Sequence, residues 1–265
     1  MSEISHAIRA FAEEPDRHLS EIPLPTRRFR TPSYTLILSP SGILSAASAI
    51  RTSETDLDAN IAEVRRLVRE AGYTRTAWSI GPSSRPEGLL ALLAKRGFVP
   101  ATQPPFEPET TAMALVNPPR PAPAGVEARL VRSLDEYLQV WRIALEVFNE
   151  SEEDAAGWLA AAPALWAQQD GAQRLAHLAL LDGRPVGFGF SVAGADGLLL
   201  GGSGVLPAAR GQGAYRALIA ARWAEAVRLG KPALVIQAGP MARPILERSG
   251  FEPICHLDVL EDRSL

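Results

Sequence analysis

The residue types best suited to chemistry lie in the glycine-rich stretch Arg210–Gly213. This stretch follows an apolar run, residues 198–205, that is typical of a strand covered on both faces. It precedes residues 214–227, where apolar side chains recur at helical spacing. Glycines at the start of a helix let backbone N–H groups converge where the helix dipole is positive. Because an arginine adds charge-assisted hydrogen bonds, the pattern predicts a site for a phosphate or pyrophosphate.

Two standard phosphate motifs are excluded. The chain has no G-x-x-x-x-G-K-[ST] stretch, and the glycine spacing is not that of the dinucleotide fingerprint G-x-G-x-x-G. A tight turn that merely requires glycine stays as the alternative interpretation.

The stretch resembles the coenzyme A pyrophosphate loop of the GNAT superfamily of acyl-CoA-dependent N-acyltransferases. That family's R/Q-x-x-G-x-G/A pattern falls on Arg210, Gly213 and Tyr215, with tyrosine where a small residue is usual. The likeness continues through residues 233–238 and then through residues 241–251, which end in Gly-Phe. It covers the chain from Val126 to about Leu260. It implies an α/β fold whose mixed, mostly antiparallel central sheet is flanked by helices, in tandem with a smaller related N-terminal unit.

The resemblance also implies a reaction, in which an acetyl group passes from acetyl-CoA to a primary amine of a small molecule or peptide. The residues expected to bind the co-substrate are Gly204, Val205, Leu206, Arg210, Gly211, Gln212, Gly213, Ala214 and Tyr215. The small residues 201–204 would let the pantetheine arm approach the strand, or they would only admit a neighbouring helix. A non-catalytic acyl-CoA-binding or regulatory module is the alternative function.

Direct acyl transfer requires a base for the ammonium and an acid for the leaving thiolate. Many members of the resembled family carry that acid as a tyrosine four residues before the Gly of Gly-Phe. Here the position is Leu246, which cannot donate a proton. The remaining catalytic candidates are Glu146, Glu150 and Ser203. The acidic residues fit a solvated helix junction equally well, although together they could attract a cationic amine.

Other elements must position these residues. Ser133 with Glu136 predicts the start of a helix, and spacing predicts that Trp141 and Phe148 on this helix face inward. Residues 176–181 and 186–192 predict a hairpin around Asp182-Gly-Arg.

A chain of 265 residues is long enough for two domains. Residues 117–125 contain four prolines in nine positions, a composition typical of a stiff linker. We therefore predict an N-terminal domain at 1–118, a linker at 119–125 and an acetyltransferase domain at 126–265.

The two halves share an internal repeat, since residues 92–98 and 245–251 both end a helix with Gly-Phe. Chance similarity between α/β units is the alternative. Where the second half has its glycine loop, the first has Glu54, Asp56 and Asp58, which complement a helix dipole and repel phosphate. The N-terminal unit is not expected to bind coenzyme A.

Composition argues against several other classes of function. A net charge of −3 argues against a nucleic-acid-binding surface. The single cysteine excludes an internal disulfide, and the four scattered histidines imply no metal site. No apolar signal core and no run of roughly 20 apolar residues is present, so a cytoplasmic location without a membrane is expected. A homodimer is left open.

Overall fold

The computed structural model describes residues 3–19, 26–39, 45–102, 106–167 and 174–265. The strands are β1 Arg27–Arg30, β2 Thr35–Leu38, β3 Ser45–Ser48, β4 Thr76–Ile80, β5 Val99–Pro100, β6 Glu109–Leu115, β7 Val126–Leu130, β8 Arg174–Leu181, β9 Arg184–Ala193, β10 Leu198–Val205, β11 Leu234–Ala238 and β12 Glu252–Asp262. The helices are α1 His6–Glu13, α2 Pro15–His18, α3 Leu57–Glu70, α4 Leu89–Ala94, α5 Leu134–Phe148, α6 Glu152–Ala167, α7 Ala214–Arg228 and α8 Arg243–Arg248.

Local sequence signals set the ends of the helices that matter for the site. The Oγ of Ser133 accepts a hydrogen bond from the backbone N–H of Glu136 at 3.3 Å, so the predicted start of α5 is confirmed. Helix α5 ends at Phe148, and Asn149 follows with a φ of 55°, the left-handed conformation common just beyond a helix.

The described chain groups into two compact units. The first unit comprises Arg9–Met113, Gln237–Ile245 and Pro253–Leu265. The second comprises Ala114–Ile236 and Leu246–Glu252, together with the N-terminal residues up to Ile8. The domain boundary placed at residues 119–125 stays a prediction.

In the first unit the strands lie in the order β1-β2-β3-β4-β12-β6. Strands β3 and β4 are parallel, whereas β1–β2, β2–β3 and β4–β12 are antiparallel. Helix α3 buries Val64 and Val68 in the core beside Trp78. The Trp78 ring meets Phe98 edge to face, with the ring centroids 5.3 Å apart.

In the second unit the order is β11-β10-β9-β8-β7. All neighbours are antiparallel except β10 and β11, which are parallel. Successive strand residues face opposite sides of a sheet. Phe188 and Val186 are two residues apart and would share a face in a regular strand, but the pairing of β9 with β8 shifts between Ala179 and Leu180. Phe188 therefore joins Trp141 in the core under α5 and α6, while Val186 joins Leu218 in the core under α7.

Each unit thus has mixed, mostly antiparallel strand pairing flanked by helices, and the predicted fold class is confirmed on this point. None of the helices in the described ranges has the length and apolar character that crossing a membrane requires.

Candidate functional site

Two parallel strands of the second unit pair over only two residues, and the cleft is the unpaired strand edge beyond them. Strands β10 and β11 are both fully described, and they pair only at Leu198 with Leu234 and Leu199 with Val235. On its other side β10 remains paired with β9 as far as Val205. The edge of β10 that faces β11 therefore lacks a strand partner beyond Leu199, which leaves backbone hydrogen-bonding groups for another occupant.

Solvent reaches β10 at this opening, although the strand is internal to the sheet. Gly201 and Gly202 are exposed, and the pairing with β9 shifts between Leu200 and Ser203, as in a β-bulge. Ser203 is half-buried and pairs directly with Gly189 of β9. The structure thus places Ser203, one of the catalytic candidates, at the bulge.

The small residues of β10 have two uses. A Cβ on Gly204 would lie 2.5 Å from the Cγ1 atom of Val147, so this glycine admits helix α5, as one of the two interpretations predicts. At Gly202 the nearest side-chain atom is the Cζ of Phe148, 3.6 Å from the Cβ position. One glycine therefore serves packing, whereas Gly202 is open to solvent beside an aromatic ring.

The glycine loop joins β10 to α7. After a 3₁₀ turn at Pro207–Ala209, Gly211 has a φ of 78° and Gly213 a φ of 96°. Glycine adopts such left-handed conformations at little steric cost. Helix α7 begins at Ala214 directly behind them. Its first backbone N–H groups lack intrahelical acceptors, so they point into the loop with the positive end of the dipole.

Two polar side chains of the loop are held by its own backbone. The Nε of Arg210 donates to the carbonyl oxygen of Val205 at 3.2 Å. The Nε2 of Gln212 donates to the carbonyl oxygen of Ala208 at 3.1 Å. Both residues are exposed. The bond from Arg210 to the Val205 carbonyl holds the arginine beside the start of α7.

Two other residues shape the loop by packing. The ring of Pro123 lies directly against Gly213 and leaves no room for a Cβ there. Tyr215, predicted to bind the co-substrate, is half-buried and packs against the core formed by residues such as Val126 and Ala179. Its role in binding stays a prediction.

Below α7 the second unit buries a polar cluster that the sequence analysis missed. Arg222 is completely buried, its Nε donates to the Leu218 carbonyl at 3.1 Å, and its guanidinium lies over Gly189. His177 pairs with Gly189 across the sheet and is also buried. Burial, and then the charge of Arg222, lower the pKa of His177 to about 3, although Glu225 opposes this. The histidine is therefore neutral near pH 7.

The acidic candidates lie at the exposed end of α5. Glu146 is in the last turn of this helix and Glu150 follows its C-terminal cap, and both are exposed. The prediction that Phe148 faces inward is wrong, because 53% of it is exposed. Phe148 is the last residue of α5, and its ring contacts buried Phe188 without being covered by it.

Leu246 is completely buried within α8. Its carbonyl oxygen accepts the N–H of Phe251 at 3.1 Å, which ties it to the Gly-Phe turn. Leu93 is equally buried and accepts the N–H of Phe98 at 3.2 Å, so the repeat places the same leucine in both halves. Leu246 is a core residue and supplies no acid.

We expect Leu246→Tyr to destabilise the protein by about 1–3 kcal/mol, since a larger side chain must enter a filled core. Chemical denaturation monitored by fluorescence measures the change. The matched control is Ile245→Tyr, because the neighbouring Ile245 is 45% exposed. An equal loss in both variants would contradict the core role of Leu246.

The first unit has a counterpart of the cleft, which its own backbone and side chains occupy, since Arg51 pairs with Arg85 beyond the two strands. Strands β3 and β4 pair only at Ala46 with Ala77 and Ala47 with Trp78. Beyond them Arg51 binds the carboxylate of Glu14 at 2.6 Å. Nearby, the N–H and Oγ of Ser83 both donate to the Glu13 carboxylate, at 2.7 and 3.0 Å.

The start of α3 in this unit is also satisfied internally. The backbone N–H of Asp56 donates to the Oγ of Ser53 at 3.1 Å, and Arg96 binds Asp58 at 2.5 Å. The hydrogen bond from Arg96 holds the pKa of Asp58 below its ordinary value. This helix start therefore presents carboxylates where α7 presents glycines.

Within the described ranges, no three His, Cys, Asp or Glu side chains come together as a metal site would require.

Comparison with solved structures identifies proteins of the same fold. A GCN5-related N-acetyltransferase from Kribbella flavida has a TM-score of 0.68 at 22% identity, over 98% of this chain and 96% of that one. A tandem GNAT protein from the clavulanic acid biosynthesis pathway has a TM-score of 0.62 at 17% identity, over 99% and 89%. A GCN5-related N-acetyltransferase from Sphaerobacter thermophilus has a TM-score of 0.62 at 17% identity, over 87% and 80%.

No protein-family profile and no curated protein sequence matches the chain. The structural likenesses show that it has the fold of GCN5-related N-acetyltransferases, and the likeness to a tandem protein spans nearly its whole length. The predicted resemblance and fold class are confirmed at the level of the fold.

Proposed function

We propose that the protein is an acetyltransferase that moves an acetyl group from acetyl-CoA to a primary amine of a small molecule or peptide. The second unit would bind the co-substrate. The observation that carries the proposal is the open edge of β10, where Gly201 and Gly202 are exposed inside a sheet. This edge leads directly into the glycine loop at the start of α7.

The residues present fit acetyl-CoA at both ends of this path. At the loop, Arg210 and the first N–H groups of α7 suit a pyrophosphate. Along β10, unpaired backbone groups beyond Leu199 suit the amides of a pantetheine arm. Bound in this way, acetyl-CoA would supply an activated thioester, and the chain would orient it.

The chain must also handle two protons, one leaving the ammonium and one reaching the thiolate. Glu146 and Glu150 remain the candidates to accept the first, because they are exposed carboxylates on the α5 side. Ser203 at the bulge is the candidate to relay a proton or donate a hydrogen bond. Leu246 is buried and has no proton to donate, so water is the simplest source of the proton that the leaving thiolate takes up.

Calorimetry should show one acetyl-CoA bound per chain, since the counterpart cleft in the first unit is filled by Glu13 and Glu14. Arg210→Ala should weaken this binding by about 1.5–3 kcal/mol, the usual value of a hydrogen bond to a charged group. Arg228→Ala is the control, because Arg228 lies at the other end of α7, about 20 Å away. Two equal sites, or unchanged affinity in Arg210→Ala, would count against the proposal.

Release of coenzyme A thiol across a panel of primary amines then tests catalysis. Turnover that depends on the amine supports an acetyltransferase. Tight binding without turnover of any amine would leave the alternative, a non-catalytic acyl-CoA-binding module.

A further inference from the structure

The exposed ring at the end of α5 indicates which amines the site would accept. Phe148 is 53% exposed, and its Cζ lies 3.6 Å from the Cβ position of Gly202, where β10 opens. Its ring is held edge to face against buried Phe188, with the centroids 5.6 Å apart. The ring is therefore anchored by Phe188, and its outer end lies beside Gly202. A rigid, half-open aromatic surface favours another ring.

The charge beside this ring is negative. Phe148 is the last residue of α5, so it lies at the negative end of the helix dipole. Glu146 and Glu150 are exposed on either side of it in the sequence. A ligand placed here would gain from a positive charge as well as from an apolar body.

We propose that Phe148 selects a primary amine that carries an aromatic ring, an arylalkylamine, as the acetyl acceptor. This inference rests on the proposed function and gives its substrate class. The ring of the acceptor would pack on Phe148, and its ammonium would lie at the acidic end of α5 and reach the opening at Gly202. Phe148 would then set specificity without taking part in proton transfer.

Steady-state kinetics with phenethylamine and n-propylamine test the proposal, because the two amines share an ammonium and differ in the ring. The wild-type KM should be lower for phenethylamine. Phe148→Ala should raise that KM about tenfold, the order expected for one aromatic contact. The KM for n-propylamine and kcat should change less than about twofold. Val227→Ala is the control, since Val227 is a similarly exposed apolar residue on α7.

A second variant and a second measurement separate the outcomes. If Phe148→Ala fails to fold, Phe148→Leu takes its place. This variant keeps apolar contact with Phe188 and should still lose most of the preference for the aromatic amine. Calorimetric binding of both amines to the protein saturated with coenzyme A measures the preference without turnover. Equal effects on both amines, or no preference in the wild type, would overturn the inference. Ring-selective binding without acetylation would support it while the proposed reaction fails.

Discussion

Replacing Gln212 with glutamate is expected to weaken acetyl-CoA binding by more than about 100-fold, roughly 3 kcal/mol. The substitution is isosteric and exposed, and it exchanges the Nε2 donor that faces the Ala208 carbonyl for a carboxylate oxygen. The new carboxylate would stand in the loop that is proposed to hold the pyrophosphate. Two like charges 4 Å apart repel by about 4 kcal/mol at the effective dielectric constant of a protein surface.

The same change elsewhere provides the control. Gln139 is exposed on α5, and Gln139→Glu adds an equal charge far along the chain from the loop. Titration calorimetry at low and high salt should show a large loss in Gln212→Glu that shrinks as salt screens the repulsion. Equal acetyl-CoA affinities for the two variants would contradict the proposal that the loop binds the pyrophosphate.

Glutamate at position 212 would place a carboxylate beside the start of α7, as the sequence already does at the start of α3. In the first unit Asp56 and Asp58 stand at the helix start, and Arg96 pairs with one of them. Comparison of the two loops was possible from sequence, because glycine and aspartate have opposite effects on a phosphate at a helix start. That α1 and its following residue would fill the counterpart cleft was not predictable, since Glu13 and Ser83 are far apart in the chain.

Local patterns predicted the elements around the site closely. Strand β10 occupies the predicted residues 198–205, and α7 begins at the predicted Ala214. Both follow from an apolar run and a helical repeat within short windows. The separation of β10 from β11 has no such signal, because both strands are apolar along most of their length. Strand divergence depends on tertiary packing.

Two side chains show where helical spacing fails. Phe148 fits the buried stripe of α5 but is the last residue of the helix, so its ring contacts buried Phe188 while half of the residue stays exposed. Arg222 is charged yet buried, because Gly189 of β9 leaves space for its guanidinium. Arg222 and Gly189 are 33 positions apart in the chain, so no local sequence pattern predicts their contact.

The buried histidine next to this arginine should make stability depend on pH below about 6.5. The pKa of His177 is about 3 in the folded protein, against 6.5 for an ordinary histidine, because burial and Arg222 disfavour its charged form. Between these values the unfolded chain binds a proton that the folded chain does not. Stability is therefore full above about pH 6.5 and is lost as the pH falls toward 3.

Each pH unit in that window costs about 1.4 kcal/mol, so roughly 2 kcal/mol should be lost between pH 6.5 and 5. Urea denaturation at several pH values measures the slope. His177→Gln cannot titrate and should flatten it, and the same substitution at exposed His256 is the matched control. Glu225 also approaches His177, but Arg228 holds its carboxylate at 2.5 Å and lowers its pKa. Parallel pH curves for the wild type and His177→Gln would show that the histidine gains its proton without unfolding the cluster.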